Sequence, residues 1–255
     1  MVPVKRKEEI LDFIQEKKIC SIEELSRRFS VSRVTIHRVL NELESEDLVT
    51  KVHGGVRASQ PHGKIETRFT VRMEINKAKK IEIAKKARQF VRDRDSIYVD
   101  SSTTCFQFAR QLGMEESLHL TVISNSPLIS CELSDARHLN IISTGGDLFQ
   151  EVYSYAGDLT LDAIAKLQFE KVFLSAPAVS LEQGLMTSQS FLALIKRRVI
   201  EKASEVNLLV DSSKFERIAP RVIAPIDKVT RIITDSELPN ELRKKYEKLG
   251  IELVI

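Results

Sequence analysis

The chain of 255 residues has few cysteines, no tryptophan and no long apolar run. Its three cysteines, Cys20, Cys105 and Cys131, are widely spaced and form no C-x-x-C pair. This spacing argues against a disulfide framework or a cysteine metal site and is typical of free thiols in a reducing compartment. No apolar segment reaches membrane-spanning length, and the first residues lack a secretory signal pattern. We therefore expect a cytoplasmic protein without a metal, a cofactor or a membrane partner.

The charge balance is nearly even, since 39 basic and 36 acidic residues leave a formal net charge of +3. So small an excess does not indicate a nucleic-acid partner, and any DNA-binding signal must come from local patterning. Hydrophobic residues make up 42% of the chain, which supports a substantial core. The length permits one large domain or two unequal ones.

The first 57 residues carry the pattern of three short helices and a hairpin. Apolar residues recur at helical spacing between Lys5 and Lys17. Ser21 and Glu24 fit a capping box at the start of a second helix, and Ser32 fits the N-cap of a third. The apolar face of that third helix is predicted to consist of Ile36, Leu40 and Leu43. The segment 48–56, with two glycines near its tip, is predicted to form a two-stranded wing.

Two helices joined by so tight a turn are typical of a helix-turn-helix, whose second helix enters the major groove of DNA. Arginine and asparagine can form paired hydrogen bonds to guanine and adenine, and hydroxyl groups suit phosphate oxygens. The alternative is an ordinary cluster of short helices whose arginines are merely solvated. The residues predicted to contact DNA are Ser21, Ser32, Arg33, Thr35, His37, Arg38, Asn41, Lys51, His53 and Gly54.

Residues 58–75 lose clear periodicity and begin with turn-forming residues. We therefore expect a linker here, between a DNA-binding domain of residues 1–57 and a second domain of residues 76–255. The helix predicted after this linker is rich in lysine and arginine. We interpret this charge as the solvated face of a helix that covers a sheet, and contact with DNA phosphate as the alternative.

Beyond Arg94 the chain alternates short apolar strands with helical segments, which predicts a largely parallel sheet with helices on both faces. Polar residues and glycines follow several strands, and ligands bind at the carboxyl ends of parallel strands. Each turn alone fits ordinary capping chemistry, but together they suit an anion. We expect the turn Asp100–Thr104 to hold a phosphate, with Lys214 completing the charge. The predicted ligand-binding residues are Asp100, Ser101, Ser102, Thr103, Thr104, Asn125, Gly145, Gly146, Asp211 and Lys214.

The run 31–44, with the glycine pair behind it, resembles the winged helix-turn-helix of the DeoR family of bacterial repressors. The family core usually reads T-I-R-R-D-L, whereas this chain reads T-I-H-R-V-L from Thr35. His37 and Val39 therefore differ at positions expected on or beside the reading face. Stretches between Arg72 and Asp235, Lys80 and Lys196 among them, are similar to the sensor domain of that family. Ser102 replaces a glycine that is usual in the family turn, and we expect it to alter ligand identity or pose.

The resemblance implies a winged helix-turn-helix domain of α+β class, followed by a Rossmann-like α/β domain similar in fold to ribose-5-phosphate isomerase. It implies a DNA-binding transcriptional regulator, a repressor of a sugar-metabolism operon, whose affinity for double-stranded operator DNA is controlled by a phosphorylated sugar. We also expect a homodimer or homotetramer, because one reading helix presents few base contacts.

Two alternatives differ in chemistry from this hypothesis. The first is a sugar-phosphate isomerase-like enzyme with an appended DNA-binding module. Related isomerases carry an acidic cluster after the strand that corresponds to residues 172–174, and this chain has no acid between Val172 and Val179. We therefore expect no catalytic residue and no enzymatic activity. The second is an architectural DNA-binding protein whose larger domain binds no ligand.

Overall fold

The computed structural model describes residues 4–45, 49–52, 54–58 and 69–255. The chain forms two compact units, residues 1–67 and residues 68–255. Among the described residues, no helix is long and apolar enough to cross a membrane. The same residues contain no cluster of His, Cys, Asp and Glu that could hold a metal ion. All three cysteines are free thiols.

The first unit is a helical cluster with a small sheet. Its elements are α1 (Val4–Lys17), β1 (Ile19–Ser21), α2 (Ile22–Arg28), α3 (Arg33–Ser45), β2 (Val49–Val52) and β3 (Gly55–Ala58). Strand β3 pairs antiparallel with both β2 and β1. The predicted two-stranded wing is thus part of a three-stranded sheet. The sequence does not predict strand β1, because three residues are too few to show an alternating pattern.

The core of the first unit forms where the apolar faces of its helices meet. The predicted face of α3 is confirmed, since Ile36, Leu40 and Leu43 are fully buried. Val39 is fully buried with them. The expectation that it lies on or beside the reading face is therefore wrong, because positions 36, 39, 40 and 43 fall on one side of a helix.

The second unit is built around a seven-stranded sheet. Its elements are α4 (Phe69–Glu74), α5 (Lys77–Ala87), β4 (Ser96–Val99), α6 (Thr103–Gly113), β5 (Leu120–Ser124), α7 (Pro127–Glu132), β6 (Leu139–Ser143), β7 (Asp147–Phe149), β8 (Ser154–Ala156), α8 (Asp158–Lys166), β9 (Lys171–Leu174), β10 (Ala178–Ser180), β11 (Gly184–Thr187), α9 (Ser190–Lys202), β12 (Glu205–Leu209), β13 (Arg221–Ala224), β14 (Arg231–Ile233), α10 (Asn240–Glu247) and β15 (Glu252–Val254). Single turns of 3-10 helix occupy Arg88–Phe90, Ser212–Lys214 and Ile226–Lys228.

The sheet has the strand order β15-β14-β12-β9-β4-β5-β6, and every pair in it is parallel. One buried cluster includes side chains of α5, α6 and α7, and a second includes those of α8, α9 and α10. Along β4, Ile97 and Val99 belong to the first cluster and Tyr98 to the second, because successive side chains alternate between faces. The predicted α/β architecture is confirmed. Two smaller sheets, β10-β11-β13 and β7-β8, complete the unit.

Helix α4 lies in the segment where the sequence predicts a linker. Its Phe69 and Val71 are buried. The ring of Phe69 packs edge-on against Phe106 at 6.2 Å and Tyr153 at 5.7 Å between centroids. The structure therefore assigns α4 to the second unit, while residues 59–68 of the predicted linker lie outside the described residues. Six residues are too few for helical periodicity to show in the sequence.

Candidate functional site

The outward face of α3 presents the side chains that are best placed to read DNA. The buried side of α3 fixes its rotation, so positions 33, 34, 37, 38 and 41 share the solvent side. The exposed residues at these positions are Arg33, Val34, His37, Arg38 and Asn41. Four of these five were predicted. Val34 has no hydrogen-bonding group, so its residue type gives no signal of a base contact in the sequence.

The basic side chains of this face differ in whether they form ion pairs or hydrogen bonds within the protein. Arg33 forms an ion pair with Glu23 of α2, and both side chains are exposed. The side chains of His37 and Arg38 form no hydrogen bond or ion pair with any residue that the structure describes. Arg38 is thus free to reach a base or a phosphate, whereas Arg33 must first leave Glu23.

Two of the hydroxyl groups predicted to contact DNA, those of Ser21 and Ser32, act as helix caps in the structure, as the sequence also predicts, and a third, that of Thr35, contacts Ser32. The Oγ of Ser21 accepts the backbone N–H of Glu24 at 3.0 Å and caps α2. The Oγ of Ser32 accepts the N–H of Thr35 at 3.2 Å and lies 2.9 Å from Oγ1 of Thr35. These bonds fix where α2 and α3 begin, and so fix which residues of α3 reach outward.

Lys51 connects the wing to the far half of α3. Its Nζ donates to Oδ1 of Asn41 and to the carboxylate of Glu44, and its backbone N–H reaches Glu44 at 3.3 Å. The hydrogen bond from the Lys51 ammonium lowers the pKa of Glu44 below its ordinary value. Lys51 and Asn41, both predicted, are therefore in contact and link β2 to α3. Glu44 takes part in the same contact, and the sequence does not predict it.

The tip of the wing depends on two glycines. Gly54 has a φ of +74° and open space around it, so a side chain there would meet no neighbour but would strain the backbone. A Cβ on Gly55 would lie 2.5 Å from the carbonyl oxygen of Cys20, so this glycine lets β3 approach β1 closely. His53, also predicted to contact DNA, lies outside the described residues.

In the second unit, the turns that follow β4, β5, β6 and β12 lie at one edge of the sheet, because these strands run parallel. The turn after β4 neighbours those after β5 and β6. Strand β9 separates it from the turn after β12. Adjacent strands lie about 4.8 Å apart, so β4 and β12 are separated by roughly 10 Å.

Asp100 is the buried anchor of the turn after β4. Its Oδ1 accepts the N–H of Ser102 at 2.8 Å, and its Oδ2 accepts the N–H of Ser175 at 3.1 Å. The ammonium of Lys196 on α9 binds the same Oδ2 and donates to the carbonyl of Ser175 at 2.9 Å. Burial opposes ionisation of Asp100, but the charge of Lys196 and the bonds from Ser102 hold the pKa below its ordinary value. Asp100 therefore positions the turn as a charged, fully bonded group.

The hydroxyl groups of this turn divide into engaged and unengaged ones. Ser101 donates to Oγ of Ser154 at 3.0 Å, and Ser102 accepts the N–H of Cys105 at 3.2 Å as the N-cap of α6. The side chain of Ser102 is thus directed to the helix at an ordinary extended φ of −78°. Thr103 and Thr104 are nearly buried, and their hydroxyls have no hydrogen-bond partner in the described part of the chain. With the first amides of α6, they form a cradle that can receive an anion.

The turns after β5 and β6 support this cradle from the side. Asn125 donates to Oγ of Ser154 at 2.9 Å, so it shares that hydroxyl with Ser101. Gly145 and Gly146 have φ values of +62° and +118°. A Cβ on Gly146 would lie 2.6 Å from the carbonyl of Ala156, whereas one on Gly145 would meet nothing within 4 Å. The missing side chain at Gly146 thus lets the turn pack closely against Ala156, whereas the space beside Gly145 is open.

The turn after β12 carries a second polar cluster, centred on Asp211. Its Oδ1 accepts the N–H of Ser213 at 3.0 Å and the side-chain amide of Asn76 at 3.1 Å. Burial opposes its ionisation, but the charge of Lys214 and the hydrogen bonds from Ser213 hold the pKa of Asp211 below its ordinary value. Asn76 has a left-handed backbone with a φ of 54°, at the junction of α4 and α5.

Cations outnumber carboxylates around Asp211. Burial lowers the pKa of Lys80 to about 7, with Asp211 opposing the shift and Lys214 and Arg72 adding to it. Burial likewise lowers the pKa of Lys214, whose ammonium forms no hydrogen bond with any described residue. Lys80 is held in place by the carbonyls of Arg72 and Ile75, the latter at 2.6 Å. We call Arg72, Lys80, Asp211 and Lys214 the cation cluster.

The structure corrects one expectation about charge and leaves another as a prediction. That Lys214 completes the charge around a phosphate held by the turn Asp100–Thr104 stays a prediction. In the structure the cation at Asp100 is Lys196, and the carboxylate beside Lys214 is Asp211. The basic run of α5 was interpreted as a solvated face, yet Lys80 is only 4% exposed and Lys79 pairs with Asp235 and Glu237. The family resemblance at Arg72, Lys80 and Lys196 was a usable signal for these positions.

Both units match family models. Residues 6–62 match the DeoR-like helix-turn-helix domain, and residues 75–236 match the DeoR C terminal sensor domain. The chain is 34% identical over 253 residues to the uncharacterized HTH-type transcriptional regulator YulB of Bacillus subtilis. This match covers 99% of this chain and 96% of that protein. It is 29% identical to the lactose phosphotransferase system repressor of Lactococcus lactis, over 96% of this chain and 95% of that protein.

Solved structures with a similar arrangement of elements include ribose 5-phosphate isomerase A from Methanocaldococcus jannaschii. That chain is 21% identical, and the match covers 55% of each chain with a TM-score of 0.42.

Proposed function

The chain belongs to the DeoR family of transcriptional regulators, and we propose that it is a repressor of carbohydrate-metabolism genes whose operator affinity is set by a phosphorylated sugar. The observation that carries the proposal is the excess of cations around Asp211, at the sheet edge that also holds the Thr103–Thr104 cradle. A relative from Lactococcus lactis is named as a repressor of a sugar phosphotransferase system, which supports this class of regulated gene.

We propose that the effector spans the sheet edge from the cation cluster to the Thr103–Thr104 cradle. Two buried lysines of the cation cluster, Lys80 and Lys214, share one buried carboxylate, Asp211, so an entering anion would balance the charge that burial penalises. The unengaged hydroxyls and amides of Thr103 and Thr104 suit phosphate oxygens or sugar hydroxyls. A separation of roughly 10 Å between β4 and β12 favours a ligand with an anionic group at one end and hydroxyl groups along its length.

We propose binding without turnover at this edge. A general base works best with a pKa near the operating pH, which for a carboxyl group means a raised pKa. Asp100 and Asp211 have lowered pKa values instead, and their oxygens are occupied by internal hydrogen bonds. Both carboxylates therefore suit positioning rather than proton abstraction, which disfavours the isomerase-like alternative.

The DNA-binding residues and the oligomeric state are also proposals. We propose that the face of α3, together with the wing, contacts operator DNA, and that two copies act together on paired half-sites. One reading helix offers few base contacts, and readers about one helical turn apart supply the missing affinity. Sedimentation of the full chain measures this directly, and a monomer that binds its operator at nanomolar concentration would contradict it.

The test begins with a thermal-shift screen of the full chain against pentose and hexose phosphates, each beside its unphosphorylated parent. A ligand that binds only the folded state raises the unfolding temperature. Duplexes selected from a randomised pool then serve for DNA titrations with and without the best ligand. We expect a phosphorylated sugar to stabilise the chain and to change its DNA affinity.

Two results would contradict the proposal. Isomerisation of the sugar phosphate by the chain would favour the enzyme alternative. DNA binding that no phosphorylated sugar alters, together with no thermal shift, would favour an architectural protein.

A further inference from the structure

Val34 is an apolar residue on an otherwise polar reading face. It is 78% exposed, although it lies in the first turn of α3 beside Arg33 and one turn before Arg38. The other large aliphatic side chains of α3 are all fully buried. The rotation of α3 is fixed by that buried side and by the Ser32 cap, so Val34 cannot turn inward without unpacking the helix.

The chemistry of the major groove identifies what an outward valine can recognise there. Base edges in this groove present hydrogen-bond donors and acceptors together with one apolar group, the C5-methyl of thymine. The N-terminal residues of a reading helix lie nearest to the base edges. A β-branched side chain is stiff, so its two methyl groups are presented in a defined direction at little entropic cost.

We propose that Val34 determines sequence specificity by packing on the C5-methyl group of a thymine in the operator. This proposal rests on the DNA-binding function proposed above and adds one base identity to it. Arg38, four residues further on, lies one helical turn along the same face, so the thymine is expected next to the base pair that Arg38 reads.

The test replaces thymine by uracil, which removes only the methyl group and keeps every hydrogen-bonding edge. Duplexes are selected from a randomised pool with the full chain, and each thymine of the winning sequence is replaced in turn. We expect one replacement per half-site to weaken binding about fourfold, the effect of exposing one buried methyl group. In Val34→Ala, the thymine duplex should bind several-fold more weakly, and the ratio between thymine and uracil duplexes should fall to about one.

Two further variants separate methyl recognition from general loss of binding. Arg38→Ala should weaken both duplexes by the same factor and keep the ratio of the parent chain. Val222→Ala removes a valine that is 43% exposed on β13 of the second unit, and it should change neither affinity nor ratio. Since Val34 is exposed, thermal unfolding of Val34→Ala should match that of the parent.

The outcomes distinguish this proposal from the function on which it rests. If the pool yields no enriched duplex, DNA binding itself is contradicted and the role of Val34 is lost with it. If a duplex is enriched but uracil is tolerated at every position, DNA binding stands and the role of Val34 is overturned. The same holds if Val34→Ala keeps the thymine preference of the parent.

Discussion

Two regions hold their functional groups in opposite ways. The first is the outward face of α3 with Arg33, Val34, His37, Arg38 and Asn41, which we call the reading face. The second is the sheet edge that carries the turns after β4, β5, β6 and β12, which we call the ligand edge. On α3, His37 and Arg38 are exposed and have no partner among the described residues. At the ligand edge, Asp100 and Lys196 are nearly fully buried and bonded to each other. A surface that must meet a large charged partner can leave its groups in water until contact, whereas a pocket for a small ligand must hold its groups in place beforehand. The comparison predicts that loss of a buried, paired group such as Lys196 lowers stability, whereas loss of an exposed, unpaired group of α3 such as Arg38 lowers binding alone.

The largest expected effect tests the rigid side of this comparison. Lys196→Met leaves the carboxylate of Asp100 buried without its counter-charge, and removal of one partner from a buried pair costs about 3–5 kcal/mol. We expect the free energy of unfolding of the second unit to fall by that amount in urea denaturation of the full chain. The control is Glu247→Gln in the exposed pair Arg243–Glu247, which should cost less than about 1 kcal/mol. Equal losses for the two variants would show that Asp100 is not held as described.

The next effect tests the exposed side. Arg38→Ala should lower operator affinity by about 1–3 kcal/mol if Arg38 reads a base, and Arg33→Ala should lower it less, because Arg33 must first give up Glu23. Thermal unfolding of both variants should match the parent. Fluorescence anisotropy with a selected duplex measures the affinities, and Arg243→Ala on the second unit is the control for loss of surface charge. Unchanged binding in both α3 variants would remove α3 as the reading helix.

A third prediction concerns the groups of the ligand edge whose side chains have no internal hydrogen bond, Lys214 and Thr104. Lys214→Met and Thr104→Val should each weaken the best phosphorylated ligand about tenfold, since charge-assisted hydrogen bonds contribute about 1.5–3 kcal/mol. Operator binding without ligand should be unaffected. If the anionic group contacts Lys214, Lys214→Met should also reduce the preference for the phosphorylated over the parent sugar. Calorimetry measures both ligands, with Lys228→Met as the exposed-lysine control. Parent-like affinities in both variants would place the effector elsewhere.

The smallest predicted effect is a pH dependence of ligand binding. Burial holds the pKa of Lys80 at about 7 in the free protein, and a bound anion nearby would raise it. Binding above pH 7 would therefore take up a proton, and affinity should fall as the pH rises from 7 to 9, by less than about tenfold over that range. Lys80→Met should flatten this profile. A parent profile that is already flat, or that rises, would show that the anionic group does not approach Lys80.

Much of the reading face could be predicted from the sequence because a helix repeats locally. The spacing of Ile36, Leu40 and Leu43 identifies the buried side, and the outward residues follow from it. The same logic failed for short elements, since β1 and α4 contain too few residues to show a period. The caps at Ser21 and Ser32 could also be predicted, because a capping residue stands at a fixed place before its helix, whereas the contact of the Thr35 hydroxyl with Ser32 became visible only with hydrogen-bond geometry.

The ligand edge could be predicted only in part. Alternation of strands and helices placed the turns after β4, β5, β6 and β12 at one edge, because parallel strands align their carboxyl ends. This alternation does not give the order of the strands in the sheet, and so it does not say which turns are neighbours. Strand β9 lies between β4 and β12 and so separates Lys214 from Asp100, whose carboxylate pairs with Lys196.

The sequence by itself therefore determined the two architectures, the rotation of α3 and the edge at which polar turns gather. These follow from periodicity and chain direction, which are local properties. The tertiary structure alone decided which charges meet, that Lys80 is buried, and which threonine hydroxyls stay unengaged. Ion pairing and burial depend on distances between residues that are far apart in the chain, such as Asp100 and Lys196, and strand order sets those distances.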